Sequence, residues 1–215
     1  MRKNLFAIVL VVLSLSFSQA QDEEKRKAED GNFTLEVNFT PFGPSPIAMN
    51  LIKARYFVSD NIAVRAGFNL GIESKKPSSG MTQSSTLFSF KPGIEIHRSG
   101  TGRLSPYIGA ELNFTNKGVS EEGKDYSIKG AWSDGVDLYK NVGSFTFGLN
   151  GLAGADYYFA KKVFLGVELG YGLQLENTKD IQVTQTGVAA EKIKGGSIFN
   201  IGANFNSALR LGFIF

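Results

Sequence analysis

From Asn32 to Phe215 the sequence alternates apolar and polar residues with a period of two, as strands with two chemically different faces do. The final segment shows it best. Phe199, Ile201, Ala203, Phe205, Leu209, Leu211, Phe213 and Phe215 share one phase, broken only by Ser207, while Asn200, Gly202, Asn204, Asn206, Arg210 and Gly212 share the other. Phe33, Leu35, Val37 and Phe39 alternate with Thr34, Glu36 and Asn38 in the same way. The spacing predicts eight strands over 32–42, 47–58, 62–73, 86–97, 105–115, 144–159, 163–176 and 197–215. No 3.6-residue apolar stripe competes, so the predicted class is all-β.

The charges within these runs keep to one phase. Glu36, Lys53, Arg55, Arg65, Glu73, Lys91, Glu95, Glu111, Asp156, Glu168, Glu176 and Arg210 all lie opposite the apolar positions, among asparagines and glycines. Closing eight such strands on themselves removes the exposed edges of an open sheet. The expected architecture over 32–215 is therefore a closed eight-stranded antiparallel up-and-down β-barrel. A soluble, lipocalin-like carrier would turn the apolar phase inward, whereas a transmembrane barrel turns it toward lipid and fills its lumen with the polar phase.

Four features favour the transmembrane arrangement. Runs of 11 to 19 residues exceed the usual globular strand and suffice to cross a bilayer at a tilt. Aromatics of the apolar phase gather toward both strand ends, with Tyr56, Tyr157, Phe159, Phe213 and Phe215 at one and Phe39, Phe88, Phe114, Phe145 and Phe199 at the other. Tight links at 59–61 and 160–162 alternate with long polar ones at 74–85, 116–143 and 177–196, although the link at 43–46 is short where a long one is expected. Glycines of the polar phase, such as Gly154 and Gly166, leave room inside a narrow barrel for long charged neighbours. An interior salt-bridge network of Glu36, Lys53, Arg55, Arg65, Lys91, Glu95, Glu111, Asp156, Glu168 and Arg210 is then expected, with Lys91 beside Glu111. Unpaired charges in such a lumen would carry several kcal/mol of desolvation each.

The first 20 residues change the picture of where this barrel goes. Arg2 and Lys3 precede a 13-residue apolar stretch, Leu5–Phe17, and Ser18-Gln19-Ala20 puts small residues at −3 and −1, the layout of a cleaved secretory signal peptide over 1–20. The stretch is short for a spanning helix. Residues 21–31 are strongly charged and are expected to form a short mobile periplasmic leader. Without Arg2 and Lys3 the formal charge falls from +3 to +1, 21 basic against 20 acidic residues, which offers nothing to nucleic acid. The absence of cysteine removes disulfides, thiolate metal sites and thiol catalysis, and no cofactor or metal site is expected.

Across 32–215 the sequence resembles the small eight-stranded outer-membrane barrels of the OmpA/OmpX-like kind. FKPGIEIH at 90–97, SPYIGAEL at 105–112 and LGVELGYG at 165–172 are similar to strands of that group. The closing strand, with Leu209, Leu211, Phe213 and Phe215 in one phase, is similar to the C-terminal signal that the group presents to the barrel-assembly machinery. The resemblance implies residence in the outer membrane, with outer-membrane lipid around the barrel and Phe213 and Phe215 as the assembly signal. No domain like the peptidoglycan-binding part of long OmpA proteins is expected after the barrel.

Candidate chemistry is sparse. His97, the single histidine, falls at the tight-turn rim with no second His and no matching Ser or Asp expected beside it, so catalysis is not expected. The Asn-X-Thr triplets at Asn32, Asn38 and Asn113 lie inside predicted strands. Asp134 and Asp137 lack a full calcium-loop pattern. The informative surface is the long-loop end, where 116–143 carries Tyr126, Tyr139 and the only tryptophan, Trp132, as candidates for contact with a partner. The expected role is structural or interaction-based: a scaffold, an adhesin, or a subunit of an outer-membrane complex. The alternatives are a narrow pore for small solutes, then a lipid-modifying barrel enzyme or a soluble lipocalin-like carrier.

Overall fold

The computed structural model describes residues 26–39, 47–133, 141–204 and 209–215. In chain order the strands are β1 (Phe33–Phe39), β2 (Ile47–Ser59), β3 (Ile62–Lys75), β4 (Thr82–His97), β5 (Leu104–Glu122), β6 (Tyr126–Lys129) and β7 (Ala131–Trp132). They continue with β8 (Asn141–Val142), β9 (Ser144–Ala160), β10 (Val163–Thr178), β11 (Ile181–Gln185), β12 (Val188–Ile193), β13 (Ser197–Asn204) and β14 (Leu209–Ile214). No helix forms among the described residues.

Eight staves make the ring: β1 to β5, β9, β10, and β13 with β14 together as the last. Every pairing is antiparallel, and the ring closes where β1 meets β14, from Thr34 opposite Ile214 to Phe39 opposite Leu209. β10 runs beside both halves of the eighth stave, pairing Val163 with Phe213 near one end and Asn177 with Ser197 near the other. The fold is therefore the closed antiparallel barrel that the alternation predicts.

The faces are assigned by three successive residues of β10. Val167 is 52% and Leu169 58% exposed, while Glu168 between them is 4% exposed. The pattern repeats around the ring: Ile52, Val64, Ile94, Ile108, Leu149 and Ile201 point out, while Lys53, Arg55, Arg65, Glu95, Glu111 and Asp156 point in. Toward the tight turns the inward phase itself becomes apolar. Phe57, Ala63, Tyr158, Phe164 and Ile214 cluster there and close the lower end of the barrel.

Two regions do more than the alternation predicts. Of the 21–31 leader, residues 26–31 are described, and they pack against the lower end of the barrel. Ala28, 5% exposed, completes the lower apolar cluster, and Arg26 N–H donates to the Gly102 carbonyl at 3.1 Å and Gly31 N–H to that of Phe57 at 2.9 Å. The links at 116–143 and 177–196 are likewise more than loops. β5 runs to Glu122, and β6, β11 and β12 add a sheet beyond the barrel. A small core of Ile128, Ala131 and Ile181, with Tyr126, Val142, Val183 and Ile193 against it, holds this extension. The signal peptide, Phe205, Asp134, Asp137 and Tyr139 lie outside the described residues.

Candidate functional site

The lumen holds a continuous ionic cluster, built because β1, β2, β3, β4, β9, β10 and β14 each turn a charged side chain inward at similar depth. Arg55 and Arg65 stand directly opposite one another on β2 and β3, an arrangement that repels unless carboxylates intervene. They do. Glu95 lies 3.0 Å from Arg55 and 2.7 Å from Arg65, one oxygen to each. Arg55 also reaches Asp156 at 2.7 Å and Glu36 at 3.4 Å. Arg210 Nη1 donates to both oxygens of Glu36, at 2.7 and 3.0 Å, and its Nη2 donates to Asp156 at 2.9 Å.

Glu168 is the most connected carboxylate. It accepts from Lys53 at 2.7 Å, Arg65 at 2.6 Å and the Tyr107 hydroxyl at 2.7 Å, and Arg210 lies 3.8 Å away. Glu111 pairs with Arg65 at 3.0 Å. Nine of the ten expected network residues are thus in direct contact with one another. Lys91 is the exception: it is half-buried and makes no ion pair among the described residues, because Arg65 takes the carboxylate of Glu111 that Lys91 was expected to face. The cluster comprises five acidic side chains and four basic ones.

Two glycines set the packing of this cluster. A side chain at Gly166 would meet Asp156 Oδ1 at 2.5 Å and Arg210 Nη2 at 2.6 Å, so the ion pair occupies the space above the bare backbone. One at Gly154 would meet the Tyr107 ring and hydroxyl at 2.5 Å. Tyr107 itself stacks beneath two cations, with the Arg210 and Arg55 guanidinium carbons 5.5 and 5.9 Å from its ring centre.

His97 has partners that its sequence context does not announce. Its Nδ1 lies 2.9 Å from Ser105 Oγ and its Nε2 3.1 Å from Glu95 Oε2, with Phe57 and Tyr107 rings on either side. The expected absence of a matching serine and carboxylate is therefore corrected: β4 and β5 are adjacent, and residues eight apart across their turn face one another. The arrangement has the atoms of a nucleophilic relay but not its setting. All three side chains are buried, and Glu95 is committed to two arginines.

At the long-loop end, beyond the upper aromatic ring, a second polar cluster centres on Glu121. Its Oε1 accepts from the Tyr126 hydroxyl at 2.7 Å, and its Oε2 accepts from Gln83 Nε2 at 2.8 Å and Ser133 N at 3.0 Å. Burial pushes the Glu121 carboxyl up, but the three donated bonds outweigh it and hold it below its ordinary value. The same bond, with some burial, raises the Tyr126 hydroxyl to about 12. Half-exposed Asp180 accepts from Gly195 N at 3.0 Å and pairs with Lys192 at 2.9 Å and Lys194 at 3.3 Å, and these hold it well below the usual carboxylate range. Two of the residues expected to be free surface anchors are engaged: Trp132 is only 7% exposed, and the Tyr126 hydroxyl is spent on Glu121. Phe213 and Phe215 point outward at the lower rim, where the Phe215 ring lies 6.4 Å from that of Phe33.

Among the solved structures to which this chain is similar are two bacterial barrels. The N-terminal β-barrel domain of Pseudomonas aeruginosa OprF is 15% identical, with 87% of this chain and 100% of that one covered, at a TM-score of 0.40. The outer membrane protein OprG of Pseudomonas aeruginosa is 12% identical, with 89% and 99% covered, at a TM-score of 0.46. No protein-family model and no curated protein matches the sequence.

Proposed function

We propose that the chain is an integral outer-membrane β-barrel, closed inside and read from outside, which serves the cell envelope as a scaffold or recognition subunit and not as an enzyme. In this reading residues 1–20 are removed on export, Phe213 and Phe215 present the strand that the assembly machinery takes up, and the tight turns face the periplasm. The long-loop end faces outward and meets a partner through 116–143.

One observation carries the proposal. Among the described residues the outward face is apolar around the ring between two bands of aromatics, and the inward face holds an ion-paired cluster of nine side chains. Such a surface is unstable in water and is what lipid requires. The filled lumen favours a closed scaffold over a pore, since eight strands enclose only the space that their own side chains occupy.

Membrane fractionation and planar-bilayer recording test this reading. The chain is expected to resist carbonate extraction, to need detergent for release, and to give no stable single-channel steps. Release without detergent would overturn the membrane assignment. Regular conductance steps would replace the closed barrel with a pore.

A further inference from the structure

Above the barrel, the β3–β4 turn and the β7–β8 pair face each other across a cleft of about 460 Å³, within the usual range for small-molecule sites. Its walls join apolar and hydrogen-bonding groups: Trp132 and Met81 on one hand, Ser78, Gln83, Ser133 and Asn141 on the other.

Gln83 is the informative residue. It is 7% exposed, and its amide nitrogen donates to Glu121 at 2.8 Å and to the Ser133 carbonyl at 2.7 Å. Those two acceptors fix which way the amide points. Its carbonyl oxygen is left as an acceptor with no partner among the described residues, in a side chain that lines the cleft. Glu121 also holds Ser133, so the floor is positioned before any ligand arrives.

The charges of the cleft are already spent. The Lys75 ammonium at its rim pairs with Glu73 at 2.8 Å and lies 5.8 Å from the Trp132 ring centre, and Glu121 is saturated by three donors. An anion would find the lining lysine, Lys75, already paired and the buried Glu121 carboxylate close behind. A purely apolar ligand would strand the Gln83 oxygen. A neutral ligand with hydroxyls at its edge and C–H groups on its face satisfies both walls.

We infer that this cleft is a binding site for a neutral saccharide of one or two rings, with Gln83 accepting a sugar hydroxyl and ring C–H groups meeting half-buried Met81 and the small accessible part of Trp132. The assignment rests on the outward-facing reading of the long-loop end and names what that end recognises.

The chain has a single tryptophan, so its emission reports on this cleft alone. The test uses the full-length barrel in a detergent without a sugar headgroup, titrated with maltose, lactose and N,N′-diacetylchitobiose up to about 50 mM, the weak end of measurable affinity. A saturable emission change with at least one of them is expected. Gln83→Leu and Asn141→Ala should each bind that sugar about tenfold more weakly, as the loss of one well-placed hydrogen bond implies, while keeping the heat-modifiable gel mobility of a folded barrel. Flat emission from a folded, membrane-inserted barrel across the panel would overturn the saccharide site alone. Preference for glucose 6-phosphate or glucuronate over the neutral sugars would overturn its neutrality. A chain that leaves the membrane without detergent would instead overturn the barrel reading beneath it.

Discussion

At the scale of single residues, the lumen network separates positions that look alike in sequence. Glu168 and Glu111 are both inward carboxylates near the middle of long strands, yet their connections differ. Replacing Glu168 strands Lys53 and loosens Arg65 and Tyr107, so Glu168→Gln should lower stability by about 3–5 kcal/mol, as breaking a buried pair does. Glu111 has only Arg65, which keeps Glu95 and Glu168, and its loss evens the count of carboxylates and cations. Glu111→Gln should therefore stay within about 1 kcal/mol of the parent. Denaturant unfolding in vesicles measures both, and equal costs would refute the network as drawn. On the other face, Leu169→Arg puts a cation against acyl chains near mid-span and should cost about 2–4 kcal/mol in the same assay. The phase of these residues was legible in sequence because every inward neighbour is two positions away. The Ser105–His97–Glu95 contact was not, since it depends on the register of β4 against β5, which pairs His97 with Tyr107 and leaves Ser105 within reach. Tyr107 could have been found: it shares its phase with Gly109 and Glu111, and an aromatic there has only the lumen to fill.

At the scale of elements, the barrel strands were readable and the outer sheet was not, for one physical reason. Alternation appears in sequence only where the two faces of a strand meet different media. In β10 one face meets lipid and the other a charged lumen, so Val167, Leu169 and Tyr171 alternate with Glu168 and Gly170. In β12 both faces meet water, and Val188–Ile193 shows no period. The docking of Ala28 was hidden because one small apolar residue in a charged run carries no pattern. The outer sheet nonetheless has a titratable fastening. The folded-state value of Glu121 lies below its ordinary 4.5, so its contribution is fully present above 4.5 and is lost as pH falls through the lower folded-state value. The protection factor of the Gly130 amide, whose N–H donates to the Val119 carbonyl, should be flat from neutral pH down to 4.5 and then fall, while the lumen amides stay protected. Glu121→Gln should remove that pH dependence. A loss of protection already complete at pH 6 would assign the fastening to another group.

At the scale of the molecule, two sets of charges sit in two dielectrics. The lumen pairs are walled by strands, aromatic rings and the apolar cluster around Phe57 and Phe164, which in the closed-barrel proposal keeps them from mobile ions. The Asp180 pairs stand in open solvent at the other extreme. Screening acts on the second set and not on the first, because the Debye length, about 14 Å at 0.05 M salt and about 4 Å at 0.5 M, describes charges that ions can approach. Raising sodium chloride over that interval should leave barrel unfolding in vesicles of neutral lipid within about 0.5 kcal/mol of its starting value. Over the same interval, amide exchange at Gly195, whose N–H is held by Asp180, should speed up as Lys192 and Lys194 are screened from that carboxylate. Both readings come from one sample, so a general effect of salt on the protein would move them together. Barrel stability falling steeply with salt while Gly195 stayed unchanged would mean that water and ions enter the lumen, and the closed interior would have to be given up.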